Sequence, residues 1–255
     1  MSSPAESAAV SKRPARIVDL GKMTLGDLVR SYVTYPSIIF YAVLFVACIA
    51  GAFALGLANH PGRAALVVAL TFLIYPPVEY VLHRYVLHAR WLYKSPLTAN
   101  VWKRIHFDHH QDPQRLDVLF GSPSNTLPAI AVFTLPLGYF VGGGWATALI
   151  SAATGLLIFS VYEFCHCVQH LNYVPNNAWL REIKKHHMAH HFHNESGNYG
   201  ITSTIIDRVV GSLYTDPKAK PRSPYVNNLG YDDVEAERYP WVRRSSPPQS
   251  GRSER

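Results

Sequence analysis

A chain of 255 residues has room for one domain or at most two, and here 48% of it is hydrophobic and only 16% charged. Soluble domains carry nearer about 25% charge, and two long stretches here carry none. Ser31 to Gly62 lacks Asp, Glu, Lys and Arg, and Val118 to Tyr162 lacks these and histidine as well. Each exceeds the ~20 residues needed to cross a bilayer, which argues against a soluble cytosolic enzyme. Three cysteines make no disulfide framework.

In chain order, residues 1–30 read as a disordered or interfacial segment, rich in Ser, Ala and Pro as far as Arg16. No signal peptide is expected, because the first apolar run begins only near Ser37 and is too long for an h-region. Ser37 to Ala58 is a predicted first membrane span. Asn59 to Gly62 supplies a turn, and Ala64 to Leu82 returns across the bilayer, with Pro76-Pro77 expected to kink or interrupt that helix near its end. Gly142-Gly143-Gly144 divides the second uncharged stretch into spans near Leu127–Val141 and Trp145–Phe164. Residues 31–215 thus form a membrane domain, and 216–255, Pro-rich and charged, are expected to be a polar tail.

The net charge of +7 suits an anionic membrane surface or nucleic acid, so its placement decides. Lys12, Arg13, Arg16, Lys22 and Arg30 precede span one, which predicts a cytosolic amino terminus. Four spans return the carboxyl terminus to the same side, and of 24 basic residues only Arg63 falls in an outer loop. The basic excess is then a cytosolic collar facing the membrane, and no nucleic-acid partner is expected.

Twelve of the thirteen histidines fall in four clusters: His83 and His88; His106, His109 and His110; His166 and His170; and His186, His187, His190, His191 with His193. On the predicted topology all four lie at the cytosolic membrane face. Positions i, i+3 and i+4 share one helix face, so His106, His109 and His110 are expected to aim three imidazoles at one point, and His187, His190 and His191 to repeat this. His166 and His170 make an i, i+4 pair. His83 and His88 would stand about 140° apart on a regular helix, so they must straddle a helix end or serve different metals. Ten imidazoles exceed what one four-coordinate ion uses, and two metals are the economical reading. His60 reads as a turn residue, His186 and His193 as supporting or solvated side chains, and Cys165 and Cys167 as packing residues.

The order His-x4-His, His-x2-His-His, His-x3-His, His-x2-His-His resembles the membrane-bound fatty acid hydroxylase/sterol desaturase superfamily. It is most similar to the fatty acid 2-hydroxylase branch. The segments Glu79 to His88, Tyr162 to His170 and Lys184 to Asp207 carry the likeness, which covers about residues 36–215. Sterol desaturases usually show a shorter first spacing, and carotenoid hydroxylases a different third cluster. The resemblance implies an all-α integral membrane protein with four transmembrane helices and a cytosolic His-rich helical cap enclosing a dimetal site. It further implies two non-haem iron ions, with zinc as an occupying alternative, O2-dependent attack on an unactivated C–H bond of a membrane lipid, and a separate ferredoxin- or cytochrome b5-like electron donor. The roughly 30 residues before span one are too few to hold a fused b5 domain. Sterol-type desaturation and carotenoid hydroxylation are the alternatives within this chemistry. Outside it stands a membrane metal- or haem-binding protein, but haem would use only one or two of the histidines, and a transporter would place ionisable groups near mid-membrane.

Overall fold

The computed structural model describes residues 18–245, so the expectation for Met1 to Arg16 lies outside the described residues. Thr24 opens the first helix, α1 (Leu25–Val33): its hydroxyl accepts from the Asp27 N–H while the Asp27 carboxylate accepts from the Thr24 N–H. That reciprocal capping satisfies two of the amide donors a helix start leaves unpaired. The next three long helices each begin with proline: α2 (Pro36–Ala54), α3 (Pro61–Leu82) and α4 (Pro123–Pro136). Proline suits that position because its fixed φ is helical and its missing N–H would have no partner there. The long helix α5 (Trp145–His170) and the cap helix α6 (Ala178–Phe192, capped by the Asn177 side chain on the Leu180 N–H) complete the main elements. Among the described residues every regular element is helical, apart from one isolated bridge between Asp19 and Arg115.

Four segments are long and apolar enough to cross a membrane: Pro36–Ala54, Pro61–Lys94, Leu116–Val141 and Trp145–His170. Large apolar side chains such as Val43, Val46, Leu73 and Phe140 stand exposed on their outer faces, which is what a lipid-facing surface requires. This is the four-helix membrane fold expected, with revised ends. The first span stops at Ala54, because Gly56 turns the chain at φ +84° before a short 3-10 turn at Leu57–Asn59. Helix α3 runs unbroken through Pro76 and Pro77. The last span continues beyond Phe164 to His170, which carries the third histidine cluster on rigid helix.

Helix α5 is the axis of the bundle, packing on α2, α3 and α4. The helices close tightly at the hairpin end. A Cβ on Gly138 would lie 2.4 Å from the Thr147 carbonyl oxygen and 2.5 Å from the Ala148 Cα, so only glycine permits that approach. One level nearer the histidines, the Thr71 hydroxyl meets the Ser151 hydroxyl at 2.9 Å, joining α3 to α5. Above that bridge the helices spread, and a cavity of about 480 Å³ opens between α3, α4 and α5.

The stretch after Asp216 is not a detached tail. Through Ser245 it packs against the short helical turns Leu92–Lys94 and Ala99–Trp102, where Leu229, Tyr231, Ala236 and Val242 are buried with Tyr93, Ala99 and Trp102. Tyr93 donates its hydroxyl to Glu235 at 2.8 Å, and the Arg90 guanidinium lies 4.8 Å from the centre of the Tyr225 ring. Average composition conceals these contacts, because a few well-spaced aromatic and aliphatic side chains anchor an otherwise polar, proline-rich segment.

Candidate metal centre

All ten patterned histidines meet where the ends of α3 and α5, helix α6 and the short helical segments Lys103–Phe107 and Asp108–Gln111 converge, and they form two groups. His83, His88, His106, His110 and His190 make one, with candidate ligand nitrogens all within 4.8 Å of one another. His109, His166, His170, His187 and His191 make the second, to the same limit. We refer to these as group A and group B. His60 is exposed in the hairpin between α2 and α3. His186 is buried on α6 but belongs to neither group, and His193 uses its Nε2 to donate to the Lys220 carbonyl at 2.7 Å. Cys165 and Cys167 are buried outside both groups.

Two local distortions produce this sorting. Helix α3 passes at His83–Leu87 into a π-turn, in which the His88 N–H donates to the His83 carbonyl at 3.2 Å. An i→i+5 turn returns the fifth residue to the side of the first. His83 and His88 therefore straddle the end of the regular helix, the first of the two alternatives, and serve one group. A second π-turn, Lys103–Phe107, precedes the next cluster. The triplets do not aim at one point as expected. His106 and His110 go to group A while His109 goes to B, and His187 and His191 go to B while His190 goes to A. The helical angle explains the split: i+4 lies about 40° past i and i+3 about 60° short of it, so the middle imidazole of each triplet points about 100° away from its neighbour.

The nitrogen geometry fits metal ions. In group A the Nε2 atoms of His83 and His106 are 3.1 Å apart, those of His88 and His106 3.0 Å, those of His106 and His110 3.0 Å, and those of His88 and His190 3.1 Å. In group B, His109 to His166 is 3.1 Å, His166 to His187 3.0 Å and His170 to His187 2.9 Å. Ligands about 2.1 Å from a common ion and at right angles to one another stand about 3.0 Å apart. Hydrogen bonds between the rings do not account for group A. The Nδ1 of His83 contacts the Tyr199 carbonyl, that of His110 the Val226 carbonyl at 2.6 Å, and that of His190 the Gly197 carbonyl at 2.8 Å. A carbonyl only accepts, so each of these rings spends its single neutral-state proton at Nδ1 and turns a bare lone pair inward from Nε2. Each of these four contacts in group A involves His88 or His106, and each of those two neutral rings has at most one Nε2 proton. At most two of the four can then be hydrogen bonds, and the others set lone pair against lone pair unless a cation lies among them.

Electrostatics agree. Burial holds His106, His109, His187, His190 and His191 well below the usual histidine range, and pushes His110 down to about 3. The rings are neutral at physiological pH, the state in which imidazole ligates.

Two buried carboxylates that sequence reasoning passed over hold the loop against group A. Glu79, inside the second span, accepts from the Ile201 N–H, from the Thr202 N–H at 3.0 Å and from the Thr202 hydroxyl. Asp207 accepts from the Tyr199 N–H at 2.9 Å, the Gly200 N–H at 2.7 Å and the Ser212 hydroxyl at 2.6 Å. Together they fix the loop that presents the Tyr199 carbonyl to His83. The signal was a carboxylate within an apolar span, four residues before the first histidine.

Both groups border the cavity, whose lining includes His83 and His106 from A and His109 and His166 from B. Arg104, Ser122, Asn125 and Glu163 give its upper end polar character; below, the walls are mainly apolar, with Ile74, Val78, Ile130 and Phe159.

Such a site, ten imidazoles in two convergent groups at one end of four apolar helices, nine of them buried and His88 partly so, defines a membrane protein able to hold metal ions beside an apolar cavity. Residues 68–212 match the Fatty acid hydroxylase family, and the chain belongs to it. It is 30% identical over 153 residues to the dihydroceramide fatty acyl 2-hydroxylase FAH2 of Arabidopsis thaliana, covering 59% of this chain and 62% of that protein. It is 29% identical over 156 residues to the fatty acid 2-hydroxylase of Rattus norvegicus (58% of this chain, 40% of that protein). With the ceramide very long chain fatty acid hydroxylase SCS7 of Saccharomyces cerevisiae it shares 31% over 143 residues (56% and 36%). The chain thus spans less than two thirds of these relatives. A solved structure of full-length scs7p, with only the hydroxylase domain visible, superposes with a TM-score of 0.61 at 26% identity, covering 75% of this chain and 69% of that one.

Proposed function

We propose that this protein is a membrane-bound oxidoreductase that hydroxylates a fatty acyl chain near its polar end, holding two iron ions with the ten histidines of groups A and B. The carrying observation is the convergence of ten imidazoles, in two groups of close ligand nitrogens, beside an apolar cavity. When bound, non-haem iron supplies the activation of O2 needed to attack an unactivated C–H bond, with electrons from a separate ferredoxin- or cytochrome b5-like protein. The chain's own residues do the rest. Val226, Gly197 and Tyr199 orient three ligand rings through their carbonyls, and Glu79 and Asp207 fix the loop that carries Tyr199. The apolar walls align the acyl chain and exclude water, while Arg104 and Glu163 face its polar end. The positive-inside distribution supports a cytosolic site, with both termini on that side.

Metal analysis of purified protein, combined with lipid mass spectrometry of cells with and without it, tests the reading. Two metals per chain and a +16 mass change (one oxygen) in acyl lipids are expected. A −2 change (loss of two hydrogens) would make the protein a desaturase, and a haem absorption band would overturn the reading.

A further inference from the structure

The cavity has a definite lower end. On α3 its deepest lining residue is Thr71, on α4 Thr134 and on α5 Gly155. Val67 and Ser151, one turn further down their helices, do not line it. The closure has a cause: the Thr71–Ser151 hydrogen bond ties α3 to α5 at this level, and the glycine contact of Gly138 on Ala148 holds the helices together beneath it. A methyl group on Gly155 would already meet the Thr134 Cγ2 at 2.7 Å and the Ile130 Cγ2 at 3.0 Å, so the floor is closely packed. From Gly155 to His166 on α5 the distance is about 16 Å, and from Thr71 to His83 on α3 about 18 Å. That is close to half of the about 30 Å hydrocarbon core, the depth that the chains of one leaflet fill.

We propose that the floor formed by Thr71, Thr134 and Gly155 sets the length of acyl chain the cavity takes, selecting chains of about 14 to 16 carbons. The selection rests on the acyl-hydroxylase reading above, because the polar end of the chain is anchored at the histidines. It acts through shape rather than through hydrophobic gain. A chain leaving the bilayer exchanges one apolar surrounding for another, so extra methylenes bring little affinity, while those that reach the floor have nowhere to go. A chain of about 24 carbons would overshoot the floor by roughly 10 Å.

The test uses the purified full chain in phosphatidylcholine vesicles with 12-, 16- and 24-carbon fatty acids that carry a photoreactive diazirine at the methyl end. The 16-carbon probe should label peptides containing Thr71, Thr134 or Gly155. The 12-carbon probe should label higher on the walls, near Tyr75 or Phe159, and the 24-carbon probe should label the floor weakly. Ile74→Phe, which adds volume one turn above the floor and leaves the Thr71–Ser151 bond in place, should shift the best competing unlabelled acid from about 16 to about 12 carbons. Thr134→Ala, which removes volume instead of adding it, should shift it upward and covers the case in which Ile74→Phe fails to fold. Floor labelling by the 24-carbon probe as strong as by the 16-carbon probe, or an optimum unmoved by either variant, would overturn the proposal. Floor labelling that follows length, with no hydroxylated acid in the cells, would sustain the gauge and sink the hydroxylase reading instead.

Discussion

Groups A and B contain the same number of imidazoles but are held in different ways. In A, three Nδ1 atoms donate to main-chain carbonyls: those of Tyr199 and Val226, each 116 residues from its histidine, and that of Gly197, just after the helix that carries His190. In B, the Nδ1 atoms of His109, His170 and His187 are buried with no protein partner. The helices compensate. Four of B's five rings come as i, i+4 pairs on regular helix, His166 with His170 on α5 and His187 with His191 on α6. Two of A's rings bracket a π-turn and a third lies within another. One site is set by helix packing, the other by loops that reach in from outside. Group A is therefore open to disturbance from the loop around Tyr199 and from the carboxyl-terminal segment, neither of which offers an accepting carbonyl to the Nδ1 atoms of His109, His170 and His187 in B.

The largest expected effect comes from removing one ring from either group. His190→Ala and His109→Ala should each lower product yield by orders of magnitude, and metal content should fall from two ions toward one. Two retained metals with near-normal yield in either variant would refute the division. Next comes Asp207→Asn, which weakens the loop holding His83 without touching a ring. Loss of such supporting contacts costs about 10–100-fold in metal affinity or activity. The comparison requires the loss to fall on one ion per chain, read by metal analysis at increasing chelator concentration; equal weakening of both ions would erase the distinction. Tyr93→Phe removes the hydroxyl bond to Glu235 and should loosen the carboxyl-terminal segment by about 0.5–1.5 kcal/mol. Faster hydrogen exchange at residues 225–239, with group B undisturbed, is the expected signature. The smallest effect is that of His60→Ala, in the exposed hairpin at the other end of the bundle. It should stay within about 0.5 kcal/mol in stability and keep both metals.

Much of the architecture was readable because membranes and metals impose strong constraints. Uninterrupted apolar length marked the four spans, and the histidine clusters marked the ten rings that meet. Their division into groups was not read: His83 and His88 were expected to straddle a helix end or to serve different metals, without a choice between the two, and the triplets were treated as one face when their middle members diverge. The spacing of five between His83 and His88 was itself the clue to the wider turn. The carbonyls of Gly197, Tyr199 and Val226 are invisible to residue chemistry, since every residue carries one. The carboxyl-terminal segment was misjudged because composition averages over Leu229, Tyr231 and Val242, whose burial depends on partners at Tyr93 and Trp102.

The π-turn at His83–Leu87 also bears on how such chains tolerate insertions and deletions. A wide turn closes on its fifth residue as an α-turn closes on its fourth, so losing one residue between His83 and His88 and tightening the turn would leave both rings on the same side. Counted in turns rather than in residues, His-x3-His and His-x4-His are the same interval. An alignment that opens a gap between these two histidines then records a change of winding, and the pair of imidazoles is conserved straight across it.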